Sequence, residues 1–297
     1  MAQALACARA ETKTLWGRPP QRAAPTLQRV RTMRILVTFA VEAEFAPWRK
    51  RHHFSPVQLG DLTTYNADIA GVGIVVLLTG MGGTHAGSAT LGIQMIATET
   101  GRFFDVCVST GLAGALLPQI RAGEIVVARQ LRTRTVHADL RKDTIPCDEA
   151  LIELTKKCGA KEVRAFYEED HIVITAAEKL RLSSSADVVD MESFDVISEC
   201  LVWGTRGVAV RSISDTSEDD LPLDLNLAVT KAGDVSLRRI LGQVLQRPTS
   251  VPGLMRFGRQ SRKAAESLGN FLDSFINELA VRRETFSIRK NEVAQTT

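Results

Sequence analysis

Aromatic residues are scarce in this chain, at 5% of 297 residues, although 44% of the residues are hydrophobic. The apolar content therefore rests on Val, Ile, Leu and Ala, which suits a sheet buried on both faces. Cysteine is sparse as well. Cys7, Cys107, Cys147, Cys158 and Cys200 are odd in number, widely spaced and never paired as CxxC. This excludes a disulfide framework and a cysteine zinc site, and it fits a reducing, cytoplasmic compartment. His52, His53, His137 and His171 are scattered and read as surface or packing residues, so neither a metal nor an organic cofactor is expected. No stretch of about 20 apolar residues lacks charges or polar breaks, and no membrane span is expected.

Charge of one sign is also missing overall, with a formal net charge of +3, but it is unevenly placed. Residues 1–32 carry six Lys/Arg and one acid, and residues 246–297 carry nine Lys/Arg and five acids. The middle of the chain is correspondingly acidic. Basic ends can meet nucleic acid or anionic lipid, but at this density they read as solvated flanks, with no nucleic-acid or membrane partner. Residues 1–32 lack periodicity, and Gly17, Pro19 and Pro20 break any helix. They are expected to be a disordered tail, or an extension from a start upstream of Met33.

From Met33 the pattern becomes orderly. Continuous apolar runs at 34–40, 72–78, 104–109, 123–128, 171–175, 188–191 and 207–213 read as strands. Helical spacing appears at 42–51, 85–98, 147–158 and on to about 201. Strands alternating with helices imply an α/β fold of three layers, α/β/α, around a central sheet. Pro248 and Pro252 mark a break, after which 259–280 reads as one amphipathic helix with Ala264, Ala265, Leu268, Phe271, Leu272, Phe275 and Ile276 as its stripe. The expected organisation is a tail (1–32), a main domain (33–247) and a C-terminal helical extension (248–297).

Ligands in such sheets sit beyond the carboxyl ends of strands. Four segments fall there: 40–44, 79–83, 109–114 and 211–215. A fifth, 189–192, lies at a strand-to-helix junction. Gly80-Met81-Gly82-Gly83 precedes a helix and could offer backbone N–H groups to an anion, but it lacks the dinucleotide and P-loop patterns. Asp190 and Glu192 could simply complement a helix N-terminus. Arg211 in an apolar strand needs a partner or a cavity. Alternation would put Arg211, Ile213 and Asp215 on one face and Ser212 and Ser214 on the other.

Taken in order, AVEAE (40–44), TGMGG (79–83), TGLAGAL (110–116), VVDMES (188–193) and VRSISD (210–215) resemble the nucleoside phosphorylase/nucleosidase superfamily, and most of all its 5'-methylthioadenosine/S-adenosylhomocysteine nucleosidases. The likeness spans about residues 33–230. It implies a nucleoside phosphorylase-like fold with a mixed sheet, a homo-oligomer (most simply a dimer) and a small-molecule nucleoside as substrate. In that resemblance Glu44 activates water, with Glu42 as a rival. Met191 and Glu192 meet the ribose, Arg211 and Thr79 lie near the attacking water, Gly80 and Ser214 are further substrate-binding residues, and Asp215 protonates, or donates to, N7. A carboxyl in that role would need burial to raise its pKa from roughly 3.9.

Hydrolysis is favoured over phosphorolysis. Ser109 stands where the related phosphorylases carry an Arg, Leu112 replaces their phosphate-binding Ser, and acids follow the first strand where they carry an Arg loop. A phosphorylase of the hopanoid-associated type and a non-catalytic nucleoside binder are the alternatives. Around 172–179 the chain also lacks the aromatic that stacks on adenine in the nucleosidases.

Overall fold

The computed structural model describes residues 32–134, 143–230, 233 and 236–287; His137 and the 1–31 tail lie outside them. In chain order the elements are β1 (Arg34–Phe39), α1 (Glu42–Arg49), β2 (Ser55–Leu59), β3 (Leu62–Ile69), β4 (Val72–Leu78), α2 (Gly83–Glu99), β5 (Val106–Ser109), β6 (Leu112–Ala115), β7 (Ile125–Thr133), β8 (Thr144–Pro146), α3 (Glu149–Lys157), β9 (Lys161–Glu168), α4 (Ala176–Leu182), β10 (Val188–Asp190), α5 (Ser193–Val202), β11 (Arg206–Asp215), α6 (Leu237–Gln246), α7 (Val251–Val281) and α8 (Arg283–Phe286).

The strands form one mixed sheet in the order β2-β3-β4-β1-β5-β11-β6-β10-β9-β7-β8. β4, β1, β5 and β11 run parallel, which is why their sequences are continuously apolar: both faces are covered. α2 packs with α5, whereas α1 and α3 pack with α7, and β11 meets α5, α3 and α7. The expected three layers around a mixed sheet are therefore present. β2 and β3 escaped the sequence reading because they form an antiparallel edge hairpin whose outer residues are polar or exposed.

The expected strand at 171–175 is not one. The strand lies earlier, at β9, whose half-exposed sequence KEVRAFYE alternates imperfectly. The apolar run Ile172-Val173-Ile174 is extended but leaves the sheet. Its backbone is satisfied by the 221–226 loop: Ile172 N–H donates to Asn226 Oδ1 at 2.7 Å, Asn226 Nδ2 donates to the Ile172 carbonyl at 2.9 Å, and Leu221 N–H donates to the Ile174 carbonyl at 2.8 Å. Strand alternation on β11 also fails at its end. An irregularity between Ile213 and Asp215 shifts the register against β6, which turns both Ser214 and Asp215 toward one cavity.

α7 begins at Val251, earlier than expected, because Pro252 sits in its first turn, where a missing N–H costs nothing. The whole expected stripe from Ala264 to Ile276 is buried. A polar clamp fixes its register. The Asp273 carboxylate accepts from Trp48 Nε1 at 2.7 Å and from Arg51 Nη1 at 3.1 Å, and it meets His52 Nε2 at 2.6 Å. Asp273→Ala strips these α1-side partners at once. We expect it to lower unfolding free energy by about 1–3 kcal/mol in urea titration; no loss would mean that apolar packing alone holds α7.

Candidate functional site

The carboxyl ends of β1, β10 and β11, with Leu112 to Gly114 of β6, surround a cavity of about 810 Å³, flanked on its outer side by α1 and α7. Sites of this size and placement are typical of small-molecule ligands. Glu44, Met191, Glu192, Ser214 and Asp215 line it. Thr79, Gly80 and Arg211 lie outside the wall. Thr79 is buried at the end of β4, its hydroxyl donating to the Phe39 and Gly80 carbonyls at 3.3 and 2.9 Å. Gly80 has φ +77° and serves the turn.

Glu44 is the third residue of α1 and reaches back over the helix start. Its carboxylate accepts from the N–H groups of Leu112 (2.8 Å), Ala40 (3.0 Å) and Val41 (3.4 Å). Burial raises its pKa above the ordinary carboxylate value, against the lowering pull of the Leu112 N–H, Arg211 and the other two amides. Gly111 makes room for it: φ is +147°, and a Cβ there would sit 3.0 Å from Glu44 Oε1. Its rival Glu42 is 45% exposed and pairs with Arg49 at 2.6 Å, away from the cavity.

Arg211 lies beneath the cavity floor, 1% exposed. Its Nη2 pairs with Asp190 Oδ2 at 2.6 Å, donates to Ser109 Oγ at 3.2 Å and stands 4.0 Å from Glu192 Oε2. Asp190 also caps α5, accepting from the Ser193 N–H at 3.2 Å. Glu192 accepts from the Gly82 N–H at 3.0 Å, so an N–H of the glycine turn serves a carboxylate of the protein itself. Burial, with the Asp190 charge behind it, pushes the Glu192 pKa up to about 8, against the opposing Arg211 and Gly82 contacts.

Asp215 is buried, as its expected role requires, and it is also paired. Lys179 of α4, wholly buried, places Nζ 2.6 Å from Asp215 Oδ2 and donates to the Thr216 and Asp219 carbonyls at 2.7 and 2.8 Å. Ser214 Oγ donates to Asp215 Oδ1 at 2.6 Å. Lys179 was missed by the sequence reading. Its position on the buried side of a short, polar helix has no periodic signature. Phe257 was missed too: α7 supplies it, and it is the sole aromatic in the cavity wall among the described residues. It also lines a smaller adjoining cavity with Asp215 and Leu221.

Among the described residues, Glu169, Asp170 and His171 bring ligand-type atoms within 4.8 Å of one another. His171 is already held by Asp170 at 2.8 Å and Glu178 at 2.9 Å, and both raise its pKa. Both ring nitrogens of His171 are thereby engaged by carboxylates. No helix among the described residues is long and apolar enough to cross a membrane.

Fold and site together define an α/β protein with buried, separately tuned carboxylates around a cavity of small-molecule size. The chain belongs to the phosphorylase superfamily, whose family model matches residues 34–246. It is 25% identical over 236 residues to a 5'-methylthioadenosine/S-adenosylhomocysteine nucleosidase of Shewanella halifaxensis, covering 72% of this chain and all of that one. A nucleosidase of the same description from Shewanella oneidensis is 26% identical over 199 residues, 59% of this chain and 80% of the relative. Among solved structures it resembles a Helicobacter pylori futalosine hydrolase mutant (TM-score 0.64, 20% identity, 84% of this chain and 100% of that one). It also resembles the Helicobacter pylori methylthioadenosine/adenosylhomocysteine nucleosidase bound to butyl-thio-DADMe-Immucillin-A (TM-score 0.63, 22% identity, 84% and 99%).

Two outcomes follow from the charges. The raised Glu192 carboxyl stabilises the fold while protonated; that contribution is full below about pH 4.5 and is lost as pH rises toward 8. Glu192→Gln removes this dependence, so the variant's melting temperature relative to the natural protein should climb from pH 5 to 8.5. A difference that stays flat would contradict the raised pKa. Lys179→Met strands a buried carboxylate and should cost about 3–5 kcal/mol in chemical denaturation, while Lys179→Met with Asp215→Asn should recover most of it.

Proposed function

We propose that this protein hydrolyses the N-glycosidic bond of a purine nucleoside, most simply 5'-methylthioadenosine or S-adenosylhomocysteine. The observation that carries the proposal is the separation of roles among the cavity's carboxyl groups. Glu44 is anchored by amides and raised by burial, Glu192 is raised to about 8, and Asp215 is locked to an ammonium.

Bond cleavage builds positive charge on the sugar and negative charge on the departing base. Water attacks C1', and Glu44 accepts its proton as the carbon–oxygen bond forms. The electron pair of the C1'–N9 bond passes to the purine. A proton passes from the Lys179 ammonium through the Asp215 carboxylate, 2.6 Å away, to N7, leaving Lys179 as the neutral amine and Asp215 ionised. Glu192, its carboxyl pKa raised by burial, hydrogen-bonds the ribose hydroxyls above the Asp190–Arg211 pair. Acid and base on opposite sides of the scissile bond parallel the inverting glycosidases. Phe257, with Ile172 and Val173, offers an apolar wall for the base in place of the aromatic absent from 172–179. The wall continues past Glu44 to Lys50, Arg51 and Arg262 between α1 and α7, leaving room for a 5'-substituent.

Phosphate fits the inner site poorly. The Leu112 N–H is already taken by the Glu44 carboxylate, and the buried Arg211 is committed to Asp190. A dianion there would face Glu44 directly.

With 5'-methylthioadenosine as substrate, Glu44→Gln and Asp215→Asn should each lower kcat by about 10²–10⁴-fold. Phe257→Ala should chiefly raise KM, by about tenfold, the loss of one stacking contact. Full turnover in both acid variants would remove the hydrolytic assignment.

A further inference from the structure

α6 leaves much of its apolar side uncovered. Leu237, Ile240, Leu241, Val244 and Leu245 recur at spacings that gather them on one side, with Arg239 and Gln243 opposite. Its side-chain hydrogen bonds to the protein come from the polar side. Arg239 Nη1 donates to the Val229 carbonyl at 2.8 Å, and Gln243 Nε2 donates to the Asp224 carbonyl at 2.8 Å. None of the helix's residues is fully buried: Ile240 and Val244 are half-buried, and Leu237, Leu241 and Leu245 are 73%, 61% and 83% exposed. Leu227, in the short helical turn against which α6 packs, is exposed as well. Burying such side chains is worth far more than leaving them in water, so a row of this kind calls for a partner.

The charge of the segment itself indicates the partner's chemistry, although Asp219, Asp220 and Asp224 lie on the adjoining loop. From Val235 to Ala265 the sequence has no acidic residue, and it carries Arg238, Arg239, Arg247, Arg256, Arg259, Arg262 and Lys263. A two-fold contact between two copies of α6 would bring Arg238 and Arg247 against their own counterparts with no acid in the segment to answer them. Single-stranded nucleic acid would suit the arginines but has no use for a leucine row without aromatics. We propose that α6 and the start of α7 form a docking surface for an anionic lipid bilayer, with the leucine row lying in the interface and the flanking arginines meeting the headgroups. This is surface attachment, independent of the reaction assigned to the cavity, and it revises the expectation from the sequence that the basic C-terminal region is merely solvated.

The test is flotation of the full-length protein with phosphatidylcholine vesicles, with and without phosphatidylglycerol. Binding should require phosphatidylglycerol, weaken with added salt, and fall by at least about tenfold in the Leu237→Ser/Leu241→Ser/Leu245→Ser variant. An unchanged circular dichroism melting curve would confirm that these exposed positions leave the fold intact. Failure of the natural protein to float with anionic vesicles would overturn the proposal, and so would binding that the leucine substitutions leave unaltered. Light scattering showing that the natural protein is a dimer and the leucine variant a monomer would assign the row to a second copy instead.

Discussion

The buried pair of Arg211 and Asp190 is the constraint on which the site depends. A guanidinium 1% exposed in the central strand can be carried only if a carboxylate answers it, and Asp190 does so at 2.6 Å. Removing one partner of such a pair costs about 3–5 kcal/mol, since the other charge is left stranded. The pair ties β11 to the start of α5, and the same Asp190 caps that helix through the Ser193 N–H. It also sets the electrostatics above it: Asp190 pushes Glu192 up while Arg211 pulls both Glu192 and Glu44 down. Arg211 therefore acts from beneath the cavity, and its influence on a bound molecule passes through the carboxylates it faces.

Each carboxyl group around the cavity has a different answer to its burial. Glu44 is met by backbone amides, Glu192 by one amide and a distant guanidinium, and Asp215 by an ammonium and a hydroxyl. Distinct environments let identical functional groups take opposite parts in one reaction. The irregular end of β11 matters as much as the charges, since regular pleating would have turned Ser214 away from Asp215's side. α7 completes the cavity from outside the sheet and contributes Phe257 and Arg262 to its wall.

Much of this was legible in the sequence. The strand-end segments at 40–44, 109–114, 189–192 and 211–215 do converge, because a parallel sheet collects the carboxyl ends of its central strands on one edge. Arg211's need for a partner followed from its apolar neighbours. Long-range pairings were not legible. Lys179 reaches Asp215 from a helix whose only sequence mark is a charged turn, and the Ile172–Ile174 run reads as a strand until Asn226 is seen to take its backbone groups. Phe257 belongs to a helix whose stripe announces its packing face, and the cavity lies beside that stripe. The segment 79–83 fell short of the wall at Thr79 and Gly80 because its turn folds back, sending the Gly82 N–H to Glu192 instead.

The central claim is that water, not phosphate, is the nucleophile at this site. Turnover of 5'-methylthioadenosine in ¹⁸O-water, with and without inorganic phosphate, tests it most directly. The account predicts equal rates of adenine release in both, with the label in the free sugar. Release that requires phosphate and yields an unlabelled sugar 1-phosphate would contradict it and make the protein a phosphorylase.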